Sequence, residues 1–201
     1  MRKEEEYLND LAEIRTMMER TSKFLSLSGW SGILAGIYAL ICVSIIHFVW
    51  DFHLLQSFSD AAAIAKVWLL GIVILILSIA TAAYFSRQSA LKKREKAWNA
   101  TSRKLIQSMA VPLVTGGLLM LVFLIRGPIQ MILPVSLLFY GLALFNAGSF
   151  TYREVRWMGL AQIVLGLTAT WFVNYGLLFW GLGFGVVHIV YGMVMHFKYE
   201  R

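Results

Sequence analysis

Three polar side chains inside long apolar stretches are the first candidates for chemistry: Asn146, Gln162 and His188. A polar side chain inside a bilayer is costly, so each such residue is by default a candidate for function. Counted at about 1.5 Å per residue from the cytoplasmic ends of their predicted helices, all three lie about 7–14 Å deep. We expect them to line a ligand or transport pocket that opens to the cytoplasm. The alternative is that they hydrogen-bond each other, or nearby Ser and Thr, and serve only helix packing.

A second polar group stands at the end of the first apolar stretch. His47 and Asp51 are four residues apart, on one face of a helix, and His53 follows. Imidazole and carboxylate groups at this spacing could hold zinc or another divalent ion, in an open site that water completes. The competing interpretation is a polar cap at the membrane surface. His47, Asp51 and His53 are therefore the candidate metal ligands.

Other chemistry finds no support in the sequence. There is no P-loop, dinucleotide fingerprint or zincin motif, and no nucleophile stands with a base, so we expect no enzyme and no catalytic residue. The GWSG at 29–32 resembles the GxSG of rhomboid proteases, but that family carries its serine on the fourth span near the outer side. Here Ser31 lies on the first span near the cytoplasm, so helix packing explains the motif. The histidines His47, His188 and His196 differ in depth, which argues against a haem, and no cofactor is expected.

The elements that must position these residues are membrane spans. Hydrophobic residues make up 59% of the chain and charged residues only 14%, against about 25% charged in a soluble domain. Continuous apolar blocks of about 20 residues recur, the length that crosses a bilayer as a helix. We predict an all-α integral membrane protein, a six-helix bundle formed by one transmembrane domain at 24–201. Its spans are predicted at about 24–49, 61–85, 106–125, 129–150, 157–173 and 177–197.

The basic loop at 87–104 orients these spans. It holds seven of the 18 Lys and Arg residues, and cytoplasmic loops of membrane proteins collect such residues. With this loop inside, 16 of the 18 fall on the cytoplasmic side and only Lys66 and Arg126 fall outside. Both termini are therefore predicted to be cytoplasmic. The same bias explains the net charge of +7, so we expect anionic lipid as the partner of these charges and no nucleic acid.

Residues 1–23 predict an amphipathic helix on the cytoplasmic side. Tyr7, Leu11, Ile14 and Met18 are spaced as on one seam of a coiled coil. Two heptads are short for a stable coiled coil. The helix either lies on the protein's own cytoplasmic face or mediates self-association. Binding to the membrane surface fits less well, because the polar face is acidic at one end.

Small residues line the first span at helical spacing. Ser28, Gly32 and Gly36 repeat every four residues, as do Ala35 and Ala39. Such stripes let helix backbones approach closely in lipid. The stripe predicts the main helix contact, either within the bundle or between protomers. We expect the protein to form a homo-oligomer through such small-residue faces.

Two six-residue segments echo each other. LLFYGL at 137–142 recurs as LLFWGL at 177–182. Each falls in the outer half of the second helix of a predicted hairpin. The two hairpins are either related units, as in many transporters, or alike by chance in a Leu- and Gly-rich chain.

The stretch 14–40, IRTMMERTSKFLSLSGWSGILAGIYAL, resembles the N-terminal signature of an uncharacterised family of bacterial six-span inner-membrane proteins. The resemblance implies a bacterial inner-membrane location, and it carries no catalytic residues. Six spans with Ala35 and Ala39 on the first also resemble the vitamin-binding subunits of energy-coupling-factor transporters. In that family small residues on the first span contact a partner protein.

Two function classes follow. We favour a small-solute or lipid binding or transport protein with a polar pocket among spans 3–6. The alternative is a non-transporting interaction or regulatory protein, which acts on a cytoplasmic partner through its N-terminal helix and basic loop.

Overall fold

The computed structural model describes residues 24–50, 61–92 and 98–200. Within these ranges every regular element is a helix, which confirms the prediction of an all-helical protein. The predicted N-terminal helix at 1–23 lies outside the described residues, as do Asp51 and His53. Of residues 61, 63 and 64 only the backbone is described.

The six helices have the following bounds. The first, α1, runs over Gly29–Ser44 and continues as a π-helical turn over Ile45–Val49; α2 is Ala61–Lys92, α3 is Ala100–Arg126, α4 is Ile132–Ala147 and α5 is Arg153–Trp171. The last, α6, is continuous over 176–199 but is not uniform. It is α-helical over Gly176–Trp180, π-helical over Gly181–Val187 and α-helical again over His188–Tyr199.

Five of these helices are long and apolar enough to cross a membrane. They are α1, α2, α3, α4 and α6, as expected of a multi-pass membrane protein. The remaining helix, α5, contains the predicted span 157–173 up to Trp171, but Arg153, Glu154 and Arg156 fill its first turn.

The helices extend beyond the predicted spans where the sequence turns polar. The second helix continues to Lys92 and α3 already begins at Ala100. A capping box begins α3: the Asn99 side chain accepts from the Ser102 N–H, and the Ser102 hydroxyl accepts from the Asn99 N–H, both at 2.8 Å. Hydropathy marks only the part of a helix that lies in hydrocarbon, so it misses such polar ends.

The helices pack in antiparallel pairs held close by glycine. Helix α4 packs on α5, α1 packs on α6, and the flanking helices α2 and α3 pack mainly on α1 and α4. A Cβ added to Gly159 would lie 2.7 Å from the carbonyl oxygen of Gly141, and one added to Gly192 would lie 2.5 Å from that of Gly29. Backbones therefore touch at both pairs, which only glycine allows.

The predicted small-residue stripe of α1 faces α6 of the same chain. Gly32, Gly36 and Ala39 are buried, as is Ser28, while Ala35 is half-buried. A Cβ on Gly36 would lie 2.6 Å from the carbonyl oxygen of Gly185. Since this face is covered within the chain, it does not supply a surface for a homo-oligomer.

One end of the molecule is tied together by the last residues of α6. We call it the Glu200 end. Glu200 Oε1 accepts a hydrogen bond from the N–H of Gly29 at 2.8 Å, which satisfies a free donor at the start of α1. Glu200 Oε2 meets His196 Nδ1 at 2.9 Å. Lys198 pairs with Glu154 in the first turn of α5.

An extended segment, residues 24–28, enters α1 at the same end and is fastened to the turn between α4 and α5. The N–H of Phe24 donates to the carbonyl of Phe150 at 2.7 Å. The Thr151 hydroxyl donates to the carbonyl of Phe24 at 2.6 Å, and the Tyr152 hydroxyl donates to that of Leu25 at 2.8 Å. These bonds fix where the chain that precedes residue 24 meets the packed helices.

Candidate functional site

Side chains of two helices, α5 and α6, meet at one carbonyl group, that of Gly183 in the π-helical stretch of α6. Gln162 of α5 donates its Nε2–H to this oxygen at 2.8 Å. His188, one turn further along α6, approaches the same oxygen with Nδ1 at 3.0 Å. Single π-helical turns inside α-helices occur frequently at functional sites. We call Tyr140, Gln162, Gly183 and His188 the Gly183 site.

The contacts assign the tautomer of His188. A carbonyl oxygen only accepts, so Nδ1 must carry the hydrogen that it shares with Gly183. In the neutral ring Nε2 is then an acceptor. The Tyr140 hydroxyl of α4 lies 3.0 Å from Nε2 and donates to it. Tyr140 thus joins α4 to a chain of bonds that runs through His188 and Gly183 to Gln162 on α5.

The amide of Gln162 is only half satisfied. The side chain is fully buried, and its Oε1 has no hydrogen-bond partner. Turning the amide over would place Oε1 against the Gly183 oxygen, where two acceptors would repel. A buried acceptor without a donor costs about 1–3 kcal/mol, and each such group in a native structure calls for an explanation.

Aromatic rings form one wall of the Gly183 site. Trp180, Phe184 and His188 follow each other at four-residue spacing along α6, with ring centroids 4.8 Å and 5.7 Å apart. The Tyr140 ring lies 5.0 Å from Phe184 and 5.5 Å from His188. Tyr140 and Trp180 hold the same place in the two echoing segments, and both rings pack on Phe184.

The site is closed in this structure. His188 has only 6% of its surface exposed and Gln162 none. A Cβ on Gly183 would lie 2.5 Å from Gln162 Oε1 and would collide with the Leu137 side chain. Any ligand therefore needs a movement of these helices to reach the orphan oxygen.

Asn146 does not join the other two predicted pocket residues. It is exposed, and its Nδ2 lies 3.4 Å from the carbonyl oxygen of Ser108 on α3. Asn146 follows Tyr140 by six residues, which turns it about 120° around the helix axis from the residue that faces α6. The structure thus brings together Gln162 and His188, and leaves Asn146 on another face.

The predicted metal cluster is described only in part. His47 lies in the π-helical turn that ends α1, and its ring meets the Phe48 ring edge-on at 4.8 Å. Asp51 and His53 fall outside the described residues. Across the part of the chain that is described, no three His, Cys, Asp or Glu side chains are grouped to hold a metal ion.

Two carboxylates at the Glu200 end have shifted pKa values. Burial acts to raise the pKa of Glu200, but hydrogen bonds from His196, Ser28 and the Gly29 N–H outweigh it and hold the pKa below its usual value. Burial also acts to raise the pKa of Glu154, and the bond from Lys198 leads the effects that lower it on balance. Both groups are therefore carboxylates at neutral pH.

Sequence reasoning missed two parts of the site, Tyr140 and the Gly183 carbonyl. The signal for Tyr140 was the aromatic residue at the fourth place of each echoing segment. A main-chain carbonyl group is present in every residue, so the sequence does not indicate which one belongs to a site. In comparison with known proteins, no family model, no curated protein and no solved structure matches the chain.

Proposed function

We propose that this chain is a six-span protein of the bacterial inner membrane that binds or transports a small solute or lipid at the Gly183 site. In this proposal α5 also crosses the membrane and brings the number of spans from five to six. Its 19 residues measure about 28 Å along the helix axis, close to the thickness of a hydrocarbon core. Its close packing on α4 supports the same assignment.

The distribution of charge supports an orientation with the Glu200 end in the cytoplasm. Arg103 and Lys104 stand in the first turns of α3, and Arg153 and Arg156 in the first turn of α5. All four belong to the side that collects Lys and Arg in the sequence. By the positive-inside rule that side is cytoplasmic, and both termini go with it.

The observation that carries the ligand-binding proposal is the orphan Oε1 of Gln162. Amides buried between membrane helices usually serve to hydrogen-bond across them, but a buried acceptor that is left unpaired is rare. Helix packing alone is served by the bond from Gln162 Nε2 to Gly183 and gives no reason for the free oxygen. A ligand that donates a hydrogen bond gives one.

Access to the site is proposed to come from α6. Its π-helical stretch carries three glycines, Gly181, Gly183 and Gly185. Glycine restrains the backbone least, and a π-helical turn departs from regular α-helical pairing. A shift at this stretch would open the site and leave the contacts at the Glu200 end in place.

The test compares two variants that make the same chemical change at different depths. Gln162→Met removes the orphan oxygen and keeps the length of the side chain, while Gln107→Met changes an exposed residue of α3. Both proteins, in lipid nanodiscs, are heated with a panel of solutes and lipids. A ligand of the Gly183 site raises Tm for the natural chain and for Gln107→Met, and not for Gln162→Met. If every stabilising compound acts equally on all three proteins, the proposal is wrong.

A second candidate function is a non-transporting interaction or regulatory protein. The hydrogen bonds that tie residues 24–28 to the turn between α4 and α5 favour it, because they hold the start of this segment against the packed helices at the Glu200 end. A cytoplasmic partner would then bind residues 1–23 and that loop. Deleting 1–22 should abolish partner binding and preserve the ligand response, whereas Gln162→Met should do the reverse.

A further inference from the structure

Some polar atoms of the Gly183 site have hydrogen-bond partners and others do not. His188 Nδ1 and Gln162 Nε2 both donate to the Gly183 oxygen, and the Tyr140 hydroxyl donates to His188 Nε2. One donor is left unused, the second hydrogen of the Gln162 amide nitrogen. The unused acceptors are the lone pairs of Gln162 Oε1 and of the Tyr140 oxygen. Acceptors are in excess, so the missing component is a donor.

The surroundings distinguish between charged ligands. Leu137 and Phe184 pack beside the site, and neither they nor the four residues of the site carry a cationic side chain. An anion placed there would lose its hydration without gaining a counter-charge. For a cation the surroundings are different, because Tyr140 belongs to the site and packs on Phe184, and aromatic rings attract positive charge.

We infer that the Gly183 site takes a small amine in its ammonium form, with an N–H group that donates to Gln162 Oε1. This inference rests on the proposed function, since it names the ligand class for the same site. The ammonium group combines the two properties that the site lacks: several hydrogen-bond donors and a positive charge beside aromatic rings. A carboxylate or phosphate has neither property.

The experiment uses three small probes that differ in charge or in hydrogen-bond donors, with the full chain in lipid nanodiscs at constant ionic strength. Methylammonium has both charge and N–H donors, tetramethylammonium has charge without donors, and acetate is an anion. Binding is measured by calorimetry and by the rise in Tm. We expect methylammonium to bind the natural chain at least tenfold more tightly than either of the other probes.

Two variants at Gln162 locate the binding. Gln162→Met should weaken methylammonium binding at least tenfold. Gln162→Glu, whose buried and protonated carboxyl group can donate to Gly183 and keep an acceptor in place of Oε1, should bind methylammonium at least as tightly as the natural chain. Gln107→Met should bind like the natural chain. If Gln162→Met does not fold, the comparison of Gln162→Glu with the natural chain still decides the question.

The outcomes separate this inference from the proposed function. Equal binding of methylammonium and tetramethylammonium would refute the hydrogen bond to Oε1. Binding of acetate, or of another anion, that is lost in Gln162→Met would refute the ammonium class while the proposed function stood. If no probe and no solute of the panel depends on Gln162, both ideas fail together.

Discussion

The substitution Gly192→Ala tests the close contact between α1 and α6. A Cβ at this position would lie 2.5 Å from the carbonyl oxygen of Gly29 and 2.6 Å from the nitrogen of Ile33. Both are backbone atoms of α1, which no side-chain rotation can move away. The matched control is Gly71→Ala on α2, where the added Cβ would meet nothing within 4 Å.

The geometry sets the size of the expected difference. Forcing an extra carbon into a packed contact costs about 1–3 kcal/mol. Alanine at an open helical position is more stable than glycine by about 0.5–1 kcal/mol. Both variants gain this preference, so it cancels in the comparison, and Gly192→Ala should be less stable than Gly71→Ala by about 1–3 kcal/mol in free energy of unfolding.

Equilibrium unfolding in mixed micelles, followed by circular dichroism during titration with sodium dodecyl sulfate, measures this difference. Gly192→Ala should unfold at lower detergent fraction than the natural chain, and Gly71→Ala at the same or a higher fraction. If Gly192→Ala and Gly71→Ala differ by less than about 0.5 kcal/mol, a size typical of neutral surface changes, the contact between α1 and α6 is not as close as described.

Three further substitutions probe single hydrogen bonds with the same titration. Glu200→Gln should destabilise the protein at pH 7, and its deficit should shrink as pH falls below about 4.5. The reason is that the pKa of Glu200 is lowered on folding, so its stabilisation is lost as the carboxylate takes up a proton. Tyr140→Phe leaves His188 Nε2 without its donor and should cost about 1–3 kcal/mol, with a change in the imidazole ¹⁵N shifts. Thr151→Val removes the 2.6 Å bond to Phe24 and should cost about 0.5–1.5 kcal/mol.

Each of these substitutions has a control or a contrary result. Tyr175→Phe alters an exposed ring, and Thr168→Val alters a hydroxyl that bonds only within α5, to Val164 at 2.8 Å. Equal losses for Tyr140→Phe and Tyr175→Phe, or for Thr151→Val and Thr168→Val, would contradict the contacts that the two buried hydroxyls make. A deficit of Glu200→Gln that stays constant from about pH 7 to 3 would contradict the shifted pKa.

Much of the fold follows from hydropathy because a bilayer imposes one length and one kind of element on every span. Five predicted spans lie in helices long and apolar enough to cross a membrane. The small-residue stripe of α1 was also recognisable from its spacing. Its partner was not, because the same stripe serves contact within a chain and between chains equally well. Only the glycines of α6 that lie opposite, Gly185 and Gly192, decide between them.

The sequence allowed the positions of the site residues along their helices to be predicted, but not the helix faces on which they lie. Counting residues from the helix ends placed Gln162 and His188 at similar depth, and they do meet at one carbonyl. The same count included Asn146, which faces elsewhere, because depth says nothing about rotation around the axis. A hydropathy pattern also assumes 3.6 residues per turn, and the π-helical stretch Gly181–Val187 departs from that period.

The π-helical stretch Gly181–Val187 has a consequence for comparing this protein with related sequences. A π-helical turn holds one residue more than the α-helical turn that replaces it. Deleting one residue from Gly181–Val187 would therefore give an ordinary α-helix in which Trp180 and the end of α6 keep their faces. The span would survive such a deletion, and the meeting of Gln162 and His188 at one oxygen would not. In a set of aligned sequences, a one-residue gap within Gly181–Val187 would identify chains that retain the helices but lack the Gly183 site.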